Sequence, residues 1–182
     1  SHEVSSYPMQ QVATDLFHFD GQSYLLTVDR YSKWPDCHKL EEARTGEIVE
    51  KLQRLFVDFG RPEILLSDNG PQFTSYDFQA FLEDQGVRHI TSSPMYAQSN
   101  GLVERMVQTV KNSLKKALMS RHTLYDVLTT LRSTPIGNGL PSPAVLLQSR
   151  NLRDNLHNSP YQLQHLQVRP NEVIETLRLR QG

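Results

Sequence analysis

The sequence predicts an α/β domain: a mixed five-stranded sheet, its first three strands antiparallel, with helices on both faces. Three observations carry this. Asp20-Gly21 separates two apolar runs, a strong hairpin signal because both turn residues tolerate positive φ. From Thr45 onward the apolar spacing changes from alternation to helical recurrence. Beyond that, short apolar runs alternate with helical ones, giving the order β-β-β-α-β-α-β-α-α and a layered α/β architecture. A chain of 182 residues suits one domain of ordinary size. It buries enough surface to fold without a disulfide or a structural metal.

Each element follows from local chemistry. Residues 1–10 are polar and read as an N-terminal linker. Gln11–Phe19 and Gln22–Arg30 flank the Asp-Gly turn. Trp34–Leu40 carries Pro35 near its start, which suits an edge strand because proline cannot donate to a ladder. Thr45–Phe59 places Ile48, Val49, Leu52, Leu55, Phe56 and Phe59 at helical spacing, and Gly60 with Pro62 ends it. Glu63–Ser67 is a short buried strand that stops at Asp68-Asn69-Gly70-Pro71. Ser75–Gln85 reads as a second helix closed by Gly86, and Val87–Ser92 as a further strand. Ser93–Gly101 is rich in turn residues and is expected as a loop before a long helix at Leu102–Ser120. Leu124–Arg132 and Ser142–Gln148 are shorter helices. The domain is expected over residues 11–156. Residues 157–182, with Pro160 and Pro170 and weak periodicity, are expected as a C-terminal tail or linker.

Composition narrows the function classes. A single cysteine, Cys37, excludes an internal disulfide and any cysteine-based zinc cage, and suits a reducing compartment. The longest aliphatic run is four residues, Ala144–Leu147, too short to span a bilayer as a helix. The net charge of −1 conceals an asymmetry. Residues 1–104 hold 8 Lys and Arg against 16 Asp and Glu, whereas residues 105–182 hold 11 against 4. The basic half could face an anionic polymer, although charge alone favours solvated faces.

Three carboxylates stand out by position. Asp15 lies within the first strand between Ala13 and Phe17 on one face, where an ionised group is costly without a cation or an open edge. Asp68 follows the end of an apolar strand, where α/β folds place their chemistry. Glu104 falls near the start of the long helix, where the macrodipole favours an anion. Thirty-five residues separate Asp68 from Glu104. Such a set, without cysteine and with few nearby histidines, suits Mg²⁺ or Mn²⁺. Two such ions about 4 Å apart can clamp the attacking and leaving oxygens of a phosphoryl displacement. Taken singly, each residue has a plainer reading: a turn residue, a first-turn glutamate, a paired strand residue. Asp29 competes for the first position, and Asp20 is explained by its turn.

The motifs S-D-N-G-P-Q-F at 67–73, T-S-S-P-M-Y-A-Q-S-N-G-L-V-E-R at 91–105 and V-Q-T-V-K at 107–111 resemble the catalytic core of retroviral and retrotransposon integrases, most of all the gypsy class of long-terminal-repeat elements. V-A-T-D-L-F at 12–17, Y-L-L-T-V-D-R-Y-S-K-W at 24–34 and S-P-A-V-L-L at 142–147 extend the resemblance to about residues 11–156. It implies an RNase H-like fold and an Asp, Asp, Glu triad holding two divalent ions, Mg²⁺ or Mn²⁺. Carried over by motif, that triad is Asp15, Asp68 and Glu104. It further implies two reactions at one site: hydrolysis near the 3′ ends of element DNA, then strand transfer into target DNA. DNA partners, a homodimer or higher homo-oligomer and work in the nucleus are implied with them. An upstream zinc module belongs to the family pattern and has no counterpart in these residues, so an excised core or a domesticated, catalytically inactive DNA- or protein-binding domain is the alternative. Ala97 stands where many relatives have proline, which is expected to loosen the loop.

The long helix has two faces. Val103, Met106, Val107, Val110, Leu114, Ala117 and Leu118 form an apolar stripe expected to be core. Glu104, Gln108, Lys111 and Lys115 share another face. Five Lys or Arg and no acid lie between Arg105 and Tyr125, either a solvated face or a track for a phosphate backbone. By resemblance, Gln108 and Lys111 match positions that contact element-end DNA, and Asn100 a loop position near the scissile phosphate. Lys115 is expected to add a more remote charge. Cys37-His38 carries little weight as a reactive pair, since neighbours on a strand point to opposite faces.

Overall fold

The computed structural model describes residues 4–91, 96–153, 173 and 175. Three strands open the domain as an antiparallel meander: β1 (Gln11–Phe19), β2 (Gln22–Asp29) and β3 (Pro35–Leu40). Asp20 and Gly21 both take positive φ, 49° and 72°, as the tight turn requires. Helix α1 (Thr45–Phe59) leads to β4 (Ile64–Leu66). The short α2 (Pro71–Thr74) and α3 (Tyr76–Gln85) lead to β5 (Arg88–Ile90). The long α4 (Ala97–Leu118), α5 (Leu124–Ser133) and α6 (Pro143–Gln148) complete the described elements. The sheet order is β3-β2-β1-β4-β5, with β1, β4 and β5 parallel to one another. The expected mixed five-stranded sheet is therefore present, with β3 at its edge.

Strand alternation sorts the core into two layers. Ala13 and Phe17 of β1, Leu26 and Val28 of β2, and Ile64 and Leu66 of β4 pack against Val103, Val107, Val110 and Leu114 of α4 and Val127 and Leu128 of α5. Val12, Leu25 and Leu65 face the other way, onto Ile48, Leu52, Leu55 and Phe56 of α1 and Phe78 and Leu82 of α3. Helices thus cover both faces, because each strand is apolar on both sides near the sheet centre. Arg132 of α5 locks the edge: its guanidinium donates to Pro35 O at 2.9 and 2.7 Å and lies 4.3 Å from the Trp34 ring centroid.

Several boundaries differ from expectation. Helix α4 begins at Ala97, so the segment expected as a loop over Ser93–Gly101 is helical in its second half; residues 92–95 lie outside the described residues. Tyr96 explains the difference. It is 5% exposed, packed in the α4-side core beneath the Arg30 guanidinium, and tertiary anchoring overrides the weak helix propensity of Ser99, Asn100 and Gly101. Ala97 is then the first helical residue, a position where proline would be tolerated but is not required. The one-turn α2 was not anticipated. It follows Gly70, with Pro71 at its start. Leu118, expected in the core stripe, is 63% exposed because α4 ends there and α5 turns away.

The N-terminal approach is tied down. Met9 is buried, its N–H donates to Asp29 Oδ1 at 3.0 Å, and Gln10 O accepts from Glu63 N at 2.9 Å. Of residues 157–182, only Val173 and Glu175 are described. Val173 is buried with Tyr31, Leu140 and Leu146. Among the described residues, no helix is long and apolar enough to cross a membrane.

Candidate active site

Period-two alternation brings the first two candidates to one face. Asp15 lies between Ala13 and Phe17, both packed toward α4. Ile64 and Leu66 also point toward α4, and Asp68 continues that alternation beyond the last residue of β4. Because β1 and β4 are adjacent and parallel, Asp15 and Asp68 emerge beside each other. Glu104 comes from α4, which packs over β1. It is not in the first helical turn, as expected, but two turns in, since the helix begins at Ala97. The macrodipole therefore contributes little at Glu104; packing of Val103 and Val107 positions it.

Electrostatics records the meeting of these groups. The Asp15 carboxyl is pushed up to about 6. Burial is the largest cause, followed by the Asp68 charge, with Glu104 adding to it; the Leu16 N–H, 2.8 Å from Asp15 Oδ1, and Lys111 act in the opposite sense. Half-buried Lys111 also lies with its ammonium 5.8 Å from the Phe17 ring centroid. Asp15, Asp68, Glu104 and Lys111 thus share one electrostatic neighbourhood.

Asp68 is exposed, and its Oδ1 accepts from Gly70 N at 2.8 Å, an Asx-type turn. A Cβ at Gly70 would stand 2.9 Å from that oxygen, so a side chain there would displace the Asp68 carboxylate. The turn reading of Asp68 is therefore correct, and the turn fixes where its carboxylate points.

Asp29, the competitor for the first position, has a different environment. It is 1% exposed and accepts from Met9 N, Tyr31 N, Ser32 N and Ser32 Oγ at 3.0, 3.2, 3.1 and 2.6 Å. Such a saturated carboxylate organises a turn. Cys37 is likewise inert: burial pushes its thiol up to about 12, and His38 pairs instead with Asp36 at 2.9 Å.

The donor set fits a hard divalent cation by its chemistry: carboxylate oxygens with an under-compensated negative charge, recorded in the raised Asp15. Spacing departs from the expectation of metal-bridging convergence. Among the described residues, no three His, Cys, Asp or Glu side chains are gathered closely enough to hold one ion. Asp68 Oδ1 is turned to Gly70 N.

The expected polar and cationic face of α4 is also present. Asn100, expected in a loop, lies in the first turns of α4. With Glu104, Gln108, Lys111 and Lys115 it forms one face, at successive offsets of four, four, three and four residues. Gln108 and Lys115 are exposed, Asn100 and Lys111 half-buried. The sequence reading missed Gly70 and Tyr96; the Asp-Asn-Gly run carried a signal for the first, whereas Tyr96 carried none.

Comparison with known proteins identifies the family and the fold. Residues 5–97 match the family described as Integrase core domain. The Pol polyprotein of Radiation murine leukemia virus (strain Kaplan) is 33% identical over 165 residues, covering 81% of this chain and 28% of that protein. The chain spans between 8% and 28% of the length of four curated relatives it matches. Among solved structures, the simian T-cell lymphotropic virus intasome in complex with PP2A regulatory subunit B56 gamma matches with a TM-score of 0.71 at 22% identity, covering 86% of this chain and 60% of that one. The HTLV-2 integrase catalytic core domain in complex with magnesium, in its trimeric form, matches with a TM-score of 0.65 at 23% identity, covering 78% and 98%. The fold is that of integrase catalytic cores, RNase H-like.

Proposed function

The chain belongs to the integrase core domain family, and from that premise we propose that it is the catalytic core of a DNA integrase, a polynucleotidyl transferase and endonuclease acting through Asp15, Asp68 and Glu104. The observation that carries this reading is that Asp15 and Asp68 follow one face of the adjacent parallel strands β1 and β4 under α4, close enough for the Asp68 and Glu104 charges to add to burial in raising the Asp15 carboxyl. Like charges gathered around a half-buried carboxyl disfavour its ionised form unless a cation compensates them. The three carboxylates would hold divalent metal, two Mg²⁺ or Mn²⁺ ions, once drawn together by the cations, and these would supply Lewis-acid polarisation and charge neutralisation at the scissile phosphate. The magnesium in the HTLV-2 core supports the choice of ion.

The residues of this chain bind and orient the DNA. Lys111 and Lys115 meet phosphates leading away from the reacting bond, and Asn100 and Gln108 donate hydrogen bonds beside it. In 3′-end processing, water attacks an element phosphodiester: one P–O bond forms and one breaks, the water gives up a proton, and the departing 3′ oxygen takes one up to become a free hydroxyl. In strand transfer, the freed 3′-hydroxyl attacks target DNA, so the number of phosphodiester bonds is conserved. These substrates put its place of work in the nucleus. A homodimer or higher homo-oligomer aligns the two element ends, as the trimeric and dimeric forms of the HTLV-2 core support.

The test is cleavage and strand transfer on short element-end duplexes with Mn²⁺. Wild type joins ends to target, and Asp68→Asn is inactive while its melting temperature is unchanged or raised. Full strand transfer by Asp68→Asn contradicts the mechanism. DNA binding with no catalysis by wild type favours the domesticated alternative.

A further inference from the structure

A hydrogen-bond relay runs from the α2–α3 region to the peptide that carries Asp68. Gln79 Nε2 on α3 donates to Phe73 O at 2.8 Å and lies 2.8 Å from His89 Nδ1 on β5. His89 Nε2 lies 2.7 Å from Ser67 Oγ, and Ser67 Oγ donates to Asp68 O at 2.8 Å. The direction of every bond is set from both ends. Phe73 O only accepts, so it fixes the amide nitrogen of Gln79, whose second N–H points at Nδ1. Nδ1 must therefore accept, which leaves the proton on Nε2. At the other end Asp68 O only accepts, so it takes the single hydroxyl proton of Ser67. Ser67 Oγ must then accept from Nε2. Both ends demand the same neutral Nε2–H tautomer, and burial pushes the His89 imidazole below its ordinary value, in the same sense.

The location gives the relay its purpose. The β4–β5 ladder ends where Ser67 N donates to Ile90 O at 3.1 Å, one residue short of Asp68. The Ser67 hydroxyl extends that pairing by one peptide through His89. Together with the bond from Gly70 N to Asp68 Oδ1, it fixes residue 68 at both its carbonyl and its carboxylate. Ser67 is 2% exposed, and the His89 ring packs edge-on against Phe78, with centroids 5.4 Å apart.

We propose that His89 is a positioning residue for the reaction, holding Asp68 in place by donating from Nε2 to Ser67. This rests on the reading of Asp68 as catalytic. His89 touches neither DNA nor the reacting atoms; it acts through Ser67 and the Asp68 peptide.

Two substitutions separate donation from packing. His89→Phe keeps a ring against Phe78 and removes the donor. His89→Gln loses the ring and restores an N–H near the Nε2 position. Partners of this outer kind affect metal affinity or activity about 10- to 100-fold. His89→Phe is therefore expected to lower the strand-transfer kcat by about 10-fold or more. The DNA KM should stay unchanged, and Mn²⁺ affinity, read from the metal-induced rise in melting temperature, should fall. His89→Gln should recover most of both. The ¹⁵N spectrum of wild type without metal should show the Nε2–H tautomer at His89. A protonated Nδ1 overturns the relay. Equal impairment by Phe and Gln, or a loss confined to Gln, makes the residue a packing element and overturns the proposal. Should His89→Phe fail to fold, Ser67→Ala against Ser67→Thr asks the same question of the hydroxyl, and equal activity of those two also overturns it. Asp68→Asn accompanies every assay. If it remains active and binds Mn²⁺, the site reading has failed. If it is inactive while His89→Phe matches wild type, only the positioning role has failed.

Discussion

Two carboxylates on neighbouring strands, Asp29 at the end of β2 and Asp15 in the middle of β1, have contrasting surroundings. Asp29 is fully buried and accepts from four donors. Asp15 is half-buried, accepts from the N–H of its own neighbour, and is raised by burial, as Asp29 also is, but in addition by two further carboxylates. The difference teaches how to tell a structural acid from a functional one. A structural acid has its oxygens occupied by donors inside the fold, even where burial raises it as it raises Asp29. At a site meant for a cation, the carboxylate meets other carboxylates instead of donors.

The largest effect should come from Asp29. Replacing it with Ala leaves Met9, Tyr31 and Ser32 N–H groups without their acceptor, at about 1–3 kcal/mol for each group that stays buried. Chemical denaturation should show a loss of about 3 kcal/mol or more. A change near zero would remove the structural half of the comparison. Asp15→Asn should do the reverse: activity falls to background while metal-free stability at pH 8 is kept or improved, because a disfavoured charge is gone.

The same contrast gives a pH dependence. Asp15 is raised from its ordinary 3.8 to about 6 in the fold. The folded state thus holds its proton more tightly than the unfolded chain. Its contribution is fully present below about pH 4 and is lost as pH rises through about 6. Melting temperatures of wild type relative to Asp15→Asn should therefore fall across that window without metal, and added Mn²⁺ should offset the fall above it. A flat difference from pH 4 to 8 would mean that neither burial nor the neighbouring carboxylates disfavour the Asp15 charge.

Much of this contrast was legible in the sequence. The Asp-Gly turn, the change of period at Thr45 and the apolar run before Asp68 determined the sheet and placed Asp15 and Asp68 on one face. The start of α4 was not legible, because Ser99, Asn100 and Gly101 read as loop while a buried Tyr96 holds them in a helix. Choosing Asp15 over Asp29 needed the motif resemblance. Both are strand aspartates, and the donors that saturate Asp29 come from Met9, twenty residues away, as well as from its own turn. The His89–Ser67 contact spans twenty-two residues and left no local pattern.

Smaller effects sharpen the site side. Gly70→Ala has an ordinary backbone conformation, φ −58°, but its Cβ would meet Asp68 Oδ1 at 2.9 Å. It should fold normally and lower activity several-fold, about 1 kcal/mol of transition-state stabilisation. Unchanged activity would mean that the Asx turn does not orient the carboxylate. Lys111→Gln should reduce the salt slope of DNA binding by about 1 across all sequences. Lys51→Gln on α1 is the control, and equal effects at both would mean diffuse attraction rather than a track.

The most direct test of the central claim is Mn²⁺ binding followed by thermal melting at pH 8, for wild type, Asp15→Asn and Asp68→Asn. The account predicts that millimolar Mn²⁺ raises the wild-type melting temperature by mass action, and that either substitution abolishes most of that rise without unfolding the domain. A wild-type protein indifferent to Mn²⁺, or an undiminished rise in both variants, would contradict it.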